Sequence, residues 1–417
     1  MNYRAIKGTK DILPNESSRW QQVEHVLRDV FHCFNYREIR TPIFEGTSLF
    51  SRSIGELTDI VGKEMYSFND RSGDSITLRP EGTASVMRSY IQNNLGGAQP
   101  LVKLYYIGPM FRQERPQAGR LRQFHQFGAE STGSPSPEAD AEIITLAIEI
   151  YRRLGITDWS LKLNSVGDEE CRPKYKTILQ QELRKIADKL SPDSQKRIEQ
   201  NPMRVLDSKD EKDKELTASM PLIIDHLNNE CADHFEKVKS LLTAAGVPFE
   251  IDGRLVRGLD YYTKTAFEIT SNALGSQDAL AGGGRYDLLI GELGGKPTPS
   301  VGFAAGMERL MMILEKSDFK EIIPSPELFI AVADDSAREW AFSAATALRR
   351  AGFKVETDLL NRSLKAQMKE ADRQHARYSI VVGSTELKNG TGILKDLSSH
   401  SQEEIGLGDI AKHLGTV

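Results

Sequence analysis

The chain has little cysteine, no long hydrophobic run and no marked excess of one charge. Its three cysteines, Cys33, Cys171 and Cys231, lie far apart and form no CxxC pair. That spacing indicates neither a disulfide framework nor a zinc site and suits a reducing compartment, so a cytoplasmic protein is expected. No apolar stretch approaches the ~18 residues of a membrane span, and the opening MNYRAIKGTKDILP lacks the apolar core of a secretory signal. No membrane role is therefore expected. The net charge of −5 gives no general nucleic-acid signature, although an RNA held through a few shaped contacts is compatible with it. The sequence shows no GxxxxGK[ST] phosphate loop, no Ser–His–Asp arrangement and no cluster of metal ligands. At 417 residues there is room for two or three domains.

What is present begins with Leu104 to Glu130, two alternating runs joined by a polar loop with turn residues at Pro116–Gly119. Period-two geometry puts Arg112 and Glu114 on one face of the first strand, and Arg122, Phe124, Gln126, Gly128 and Glu130 on one face of the second. Such a face is a poor core and a good floor for a polar ligand stacked on Phe124. A solvated hairpin face explains the same charges. His125, on the opposite face, reads as a packed or hydrogen-bonded histidine.

Elsewhere the spacing predicts a helix over 16–34 and a strand Arg37–Thr41, which Pro42 confines to an edge or an end. ITLRPEGT, Ile76–Thr83, reads as extended, with Arg79, Glu81 and Thr83 on one side. A helix from Pro137 to Gly155 and a strand Trp159–Val166 follow. Residues from about 168 to 248 read as an inserted helical module whose charge run, 207–215, is solvated. Sheet character returns at Phe249–Thr270, which contains RGLDYYT. AGGGRYDLL, 281–289, indicates a tight turn or a close backbone approach, and Pro299–Leu314 a closely packed helix. A proline-bearing linker spans 317–326. Strand–helix alternation beyond it argues a small α/β domain, with nine Lys/Arg against five Asp/Glu between Arg338 and Arg377.

Arg112, Arg257 and Arg309 sit in separate segments beside acids or glycines, and arginine is suited to holding phosphate oxygens by two bonds. FRQER at 111–115 and GFAAGMERL at 302–310 resemble the second and third signature motifs of class II aminoacyl-tRNA synthetases, and the Arg40–Pro42 region the first. RGLDYY at 257–262 and AGGGRYD at 281–287 resemble the two signatures peculiar to histidyl-tRNA synthetases. The resemblance spans essentially the whole chain. It implies an α+β fold: an antiparallel-sheet catalytic core flanked by helices over residues 1–323, the helical insertion within it, and an anticodon-binding α/β domain over 324–417. It implies a homodimer that joins L-histidine to ATP, releases pyrophosphate, and passes the histidyl group to the 3′ end of its tRNA. The implied histidine site is Glu81, Gly82, Thr83, Gln126, Glu130, Arg257, Tyr261 and Tyr262. Glu81, Thr83 and Gln126 would hold the α-amino group, and Glu130 and Tyr262 the imidazole. Arg112, Glu114, Phe124 and Arg309 would hold ATP, with Arg257 and Arg112 catalytic at the α-phosphate. Arg115 and Gln117 would meet the tRNA acceptor end. Magnesium is expected with ATP, and Glu114 is a candidate ligand. A paralogous regulatory subunit of a histidine-biosynthesis phosphoribosyltransferase would bind histidine without charging tRNA; the arginine set and the C-terminal domain count against it.

Overall fold

The computed structural model describes residues 3–54, 60–117, 119–208, 210–257, 261–277 and 279–415. The chain divides into two compact units, residues 1–321 and 322–417. In chain order the first unit contains β1 (Arg37–Glu38), β2 (Phe44–Gly46), β3 (Tyr66–Asn69), β4 (Ser75–Leu78), β5 (Val102–Phe111) and β6 (Gln123–Thr132). Then come β7 (Ser160–Ser165), β8 (Glu250–Ile251), β9 (Thr263–Thr270), β10 (Ala279–Arg285) and β11 (Ser300–Gly306). A large sheet runs β1-β5-β6-β11-β10-β9-β7-β8. Its inner strands pair antiparallel, and a two-residue parallel strand closes each edge.

The two faces of this sheet differ in residue size, and that difference makes room for a site. On one face Tyr105, Phe127, Ala129, Phe267, Phe303 and Ala305 are buried with the apolar stripes of the helices Pro14–Cys33 and Pro137–Arg153. On the other, one cross-strand row reads Tyr106, Gly128, Ala304, Gly282, Glu268, and the next Leu104, Glu130, Gly302, Gly284, Ala266. Alternation sends these positions to the same side. The absent side chains leave a trough across the middle of the sheet.

The sheet corrects several sequence expectations. Pro299–Leu314 is not one helix: β11 runs to Gly306, and only Met307–Leu314 is helical. Small residues suit helix packing equally well, but Val301, Phe303 and Ala305 enter the core with period two. The three glycines make no turn. They lie inside β10, where Arg257, Phe267 and Tyr262 occupy the space side chains would need. The edge strand β1 stops at Glu38, short of Thr41. ITLRPEGT is not extended throughout, because a helix, Thr83–Gln92, starts within it. The Glu81 carboxylate accepts the N–H groups of Thr83 and Ala84 at 2.6 and 2.9 Å and so caps that helix. Arg112, Glu114 and Arg122 fall in the β5–β6 connection, outside the strand faces.

The helices between 168 and 248 share cores with the sheet. Phe235, Val238 and Leu242 of the helix Asn229–Ala244 join the Pro137–Arg153 side, and Tyr175, Leu179 and Leu183 of the helix Cys171–Arg184 join Val86, Tyr261 and Tyr286. The charge run there is not wholly solvated. Burial pushes the Asp213 carboxyl up, but hydroxyls of Ser191, Ser194 and Ser208 donate to it at 2.7, 2.6 and 2.8 Å and bring it to about 2. Cys171 and Cys231, remote in sequence, meet beside Asp168, with one ligating atom of each within 4.8 Å of the others. The spacing argument against a metal cluster therefore fails at the level of the fold.

A separate sheet, β2-β4-β3, is inverted in polarity. Thr77 is buried and shares hydrogen bonds with Thr47 and Ser67, whereas Phe44 and Phe68, on the other face, are 56% and 48% exposed.

The second unit contains β12 (Leu328–Val332), β13 (Val355–Thr357), β14 (Tyr378–Val382), β15 (Thr391–Asp396) and β16 (Gln402–Gly406), ordered β13-β12-β14-β15-β16. The first three are parallel and the last two antiparallel. The helices Arg338–Arg350 and Leu364–Arg373 cover opposite faces: one packs on Leu328 and Ile330, the other on Phe329 and Ala331. No helix among the described residues is long and apolar enough to cross a membrane.

Candidate active site

Three groups of residues border the trough: the start of the Thr83–Gln92 helix, the β5–β6 connection, and Arg257 with Tyr261 and Tyr262. With the strands they enclose a cavity of about 240 Å³. Glu81, Thr83, Gln126, Arg257, Tyr261 and Tyr262 line it, as do Arg112, Glu114, Phe124 and Arg309. Gly82 and Glu130 lie behind the lining. A side chain at Gly82 would strike the Tyr106 ring. Arg115 and Gln117 are exposed on the connection, away from the cavity wall. Gly258, Leu259 and Asp260 of the RGLDYY signature, Asp260 being a candidate ligand contact, lie outside the described residues. Arg79 does not join Glu81 and Thr83. Its guanidinium donates to the carbonyls of Pro109 and Thr41, each at 2.9 Å, and ties the edge segment to the end of β5.

One end of the cavity is acidic. Glu130 is 1% exposed, and its two oxygens accept the Thr83 hydroxyl, at 2.7 Å, and the Tyr286 hydroxyl. Burial pushes its carboxyl up to about 8, against the pull of those hydrogen bonds. Burial also raises Glu81, although its two backbone donors and Arg112 oppose it. Gly302 pairs with Glu130 across the strands, and a Cβ there would fall on the carboxylate.

The other end is cationic. The Arg112 Nε donates to the Pro80 carbonyl at 2.9 Å, and its guanidinium lies 5.3 Å from the Phe124 ring centre. Glu114 sits between Arg120 at 3.2 Å and Arg112 at 3.7 Å. Arg309 donates to the Ala279 carbonyl at 2.6 Å, and burial, then repulsion by Arg120 and Arg112, loosens its proton. Arg257 meets Glu268 at 2.6 Å over the gap left by Gly282. Burial opposes its charge, but Tyr262 and Glu268 outweigh burial and strengthen it. The Glu268 pair is what a structural arginine would make, yet this guanidinium also lines the cavity.

Among the described residues, three buried polar atoms at or beneath the cavity wall have no hydrogen-bond partner: Gln126 Oε1 and Arg257 Nε of the lining and Tyr106 Oη below it. Each such atom ordinarily costs about 1–3 kcal/mol. Three gathered at one cavity have the character of contacts reserved for a ligand. No serine, cysteine, lysine or histidine lines the cavity among the described residues. Its arginines and hydrogen-bonding groups are suited to positioning and electrostatic stabilisation. His125 is hydrogen-bonded as expected, with its Nδ1 3.0 Å from Glu308.

Tyr106, Arg120, Tyr286 and Glu308 were not anticipated. Tyr286 had a signal in the alternation of RYD. Arg285 and Asp287 point together away from the cavity, where the fully buried Arg285 donates to the Ser134 carbonyl at 2.9 Å and pairs with Asp140 and, at 3.1 Å, Asp287. That leaves Tyr286 aimed at Glu130. Tyr106 stands opposite Gly128, a pairing visible only once the strand register is known.

Comparison with known proteins adds an independent line. A family model described as histidyl-tRNA synthetase matches residues 8–310, and one described as anticodon binding domain matches 327–416. The chain is 52% identical over 420 residues to a histidine–tRNA ligase of Chloroherpeton thalassium, covering 100% of this chain and 98% of that protein. The crystal structure of apo histidyl-tRNA synthetase from S. aureus superposes with a TM-score of 0.85 at 39% identity, covering 99% of this chain and all of that one. A Bacillus halodurans structure titled as an ATP phosphoribosyltransferase regulatory subunit/histidyl-tRNA synthetase superposes at 0.66 with 21% identity, covering 92% of this chain and 99% of that one, and shares the fold.

Proposed function

Because the chain belongs to the histidyl-tRNA synthetase family, we propose that its cavity activates histidine with ATP and that the enzyme then charges tRNA with the histidyl group. The observation that carries this is the cavity's polarity: buried carboxyls at one end, four arginines at the other, and unpartnered polar atoms around it. Histidine enters with its ammonium and imidazole toward the acids. Glu81, Thr83 and Gln126 take the α-amino group, with the Tyr106 hydroxyl as a further acceptor. Glu130 and Tyr262 bond the ring nitrogens, and Tyr261 with the Gly82 backbone shapes the wall. A ligand lacking either ring nitrogen leaves a buried group unpaired, which supports rejection of analogues without editing.

ATP lies toward the arginines, with its base near Phe124 and its phosphates among Arg112, Arg257 and Arg309. A histidine carboxylate oxygen attacks the α-phosphorus, the bond to the β-phosphate oxygen breaks, and pyrophosphate leaves. Negative charge grows on the α-phosphate oxygens, and Arg112 and Arg257 meet it from fixed positions. Glu114 and Glu268, the carboxylates paired with Arg120 and Arg257, would hold the magnesium of ATP, which would supply charge neutralisation at the phosphates. A tRNA ribose hydroxyl then attacks the histidyl carbonyl and AMP leaves. Arg115 and Gln117, exposed on the connection, meet the acceptor end, and the second unit reads the anticodon.

The protein works in the cytoplasm as a homodimer. The exposed apolar face of the β2-β4-β3 sheet supports this: Phe44, Phe68 and the neighbouring Ile43 form a patch that a second copy would cover. Histidine-dependent exchange of labelled pyrophosphate into ATP tests the activity. No exchange would overturn it and favour a binding-only regulator, and exchange that ignores histidine would overturn the assignment of histidine as the activated amino acid.

A further inference from the structure

Away from the cavity, Cys171 and Cys231 come together because each opens a helix. Cys171 is the first residue of Cys171–Arg184, and Cys231 stands in the first turn of Asn229–Ala244. They are 3% and 0% exposed. The Asp168 carboxylate completes a cluster whose ligating atoms all lie within 4.8 Å of one another. The local backbone is shaped for it. Gly167 adopts φ +70°, and a side chain there would strike the Cys171 sulfur. The Asp168 N–H points at that sulfur from 3.3 Å. The orientation of the carboxylate is fixed by outer partners: the N–H groups of Glu170 and Cys171 donate to one oxygen, each at 3.0 Å, and Asn228 Nδ2 donates to the other at 2.9 Å. Asn228 Oδ1 in turn accepts the Cys231 N–H at 2.9 Å.

We propose that Asp168, Cys171 and Cys231 bind a soft divalent cation, zinc by its chemistry, with solvent as the fourth ligand. Asp-x-x-Cys is the two-residue chelating spacing of zinc knuckles, and a third ligand from another helix start completes one hemisphere of a tetrahedral site. On binding, the two thiols release their protons to solvent and two metal–sulfur bonds form, leaving the site at a net charge of −1. The outer hydrogen bonds are of the kind that orient metal ligands. The cation would act as a clasp and not as a reactant. The knuckle is joined to the pocket wall: the Gly167 carbonyl accepts the Lys264 N–H at 2.8 Å, and Arg172 donates to the Tyr262 carbonyl at 2.8 Å. Fixing the knuckle would thus fix the backbone that carries Tyr262.

The competing arrangement is a metal-free cluster in which the thiols hydrogen-bond the carboxylate. Serine substitutions separate the two, since a hydroxyl keeps the hydrogen bond and loses the metal. Full-length protein without a polyhistidine tag, produced with added zinc and freed of loose metal by gel filtration, should retain about one zinc per chain. Replacement by cobalt(II) should give an intense sulfur-to-cobalt charge-transfer band and the visible bands of a tetrahedral ion. Cys171→Ser and Cys231→Ser should lose both signals while keeping a native circular dichroism spectrum, and Asp168→Asn should bind cobalt roughly tenfold or more weaker. If the parent protein holds far less than one zinc and gives no charge-transfer band, the site does not exist. The cobalt spectrum of the parent decides this even if a variant fails to fold. Unchanged metal content in both serine variants would equally overturn the assignment.

Discussion

Replacing Glu130 with Gln tests the acidic end of the cavity through two independent readouts. The side chain keeps its shape, and the hydroxyls of Thr83 and Tyr286 can turn to meet an amide, so the main change is the loss of ionisation. Burial moves the parent carboxyl from an ordinary 4.5 to about 8. At 1.36 kcal/mol per pH unit this corresponds to about 5 kcal/mol of pH-dependent stability, as an order of magnitude. The folded protein holds this proton more tightly than the unfolded chain does. The stabilisation is therefore complete below pH 4.5, declines above it, and is lost as pH passes about 8. Glu130→Gln should melt close to the parent at pH 5 and clearly above it at pH 9, by calorimetry on matched samples. At pH 8.5, where the parent carboxyl is largely ionised, the same variant should bind histidine more weakly and ATP almost unchanged, by titration calorimetry. If both proteins show one pH dependence, Glu130 is not the buried acid described here. An unaltered histidine affinity would remove it from the ligand site.

Arg257→Ala should remain folded, bind histidine within a few-fold of the parent and form adenylate about 10²–10³ more slowly in rapid-quench experiments; a rate that falls only as far as the folded fraction falls would make the Glu268 pair the arginine's whole purpose. Tyr106→Phe removes a buried hydroxyl that has no partner among the described residues, so melting should hold or rise while the KM for histidine increases several-fold; an unchanged KM would leave the hydroxyl without a role. A chain ending at Lys320 should keep pyrophosphate exchange and lose most tRNA charging, and equal charging by the short and full chains would assign the second unit another task. Phe44→Asp with Phe68→Asp should shift sedimentation from dimer to monomer; a monomeric parent, or a double variant that stays dimeric, would place the subunit contact elsewhere or abolish it.

Much of the site was legible because its chemistry is carried by residue types with few other uses. Arg112, Arg257 and Arg309 stand out beside acids and glycines, and Phe124, Gln126 and Glu130 sort onto one strand face by simple alternation. What was not legible depended on register or on remote partners. Gly302, Ala304 and Gly306 fit a packed helix and a strand equally well until Glu130 is known to lie across from Gly302. Asp213 looked like one charge in a solvated run, since the three serines that bury it lie up to 22 residues away. Cys171 and Cys231 defeated a spacing rule because the fold, and not a local motif, brings two helix starts together. Tyr106 carried no signal of its own: a buried tyrosine on a strand is ordinary, and only the missing partner distinguishes it.

The trough across the large sheet also limits how this pocket could be remodelled. Enlarging a binding site usually means trimming a bulky residue from its floor. Here the floor is already Gly302, Gly282 and Ala304, which lie in hydrogen-bonded strands. Nothing is left to cut. A variant that accepts a larger amino acid would have to gain its room from the lining tyrosines, Tyr261, Tyr262 and Tyr286. Under the proposed function Tyr262 also bonds the ring, so there size and discrimination would be coupled: widening the pocket at Tyr262 would weaken recognition. The opposite change is no simpler: a methyl group at Gly302 would fall on the Glu130 carboxylate and 2.6 Å from the Ala129 carbonyl, so both the acid and the neighbouring strand would have to shift.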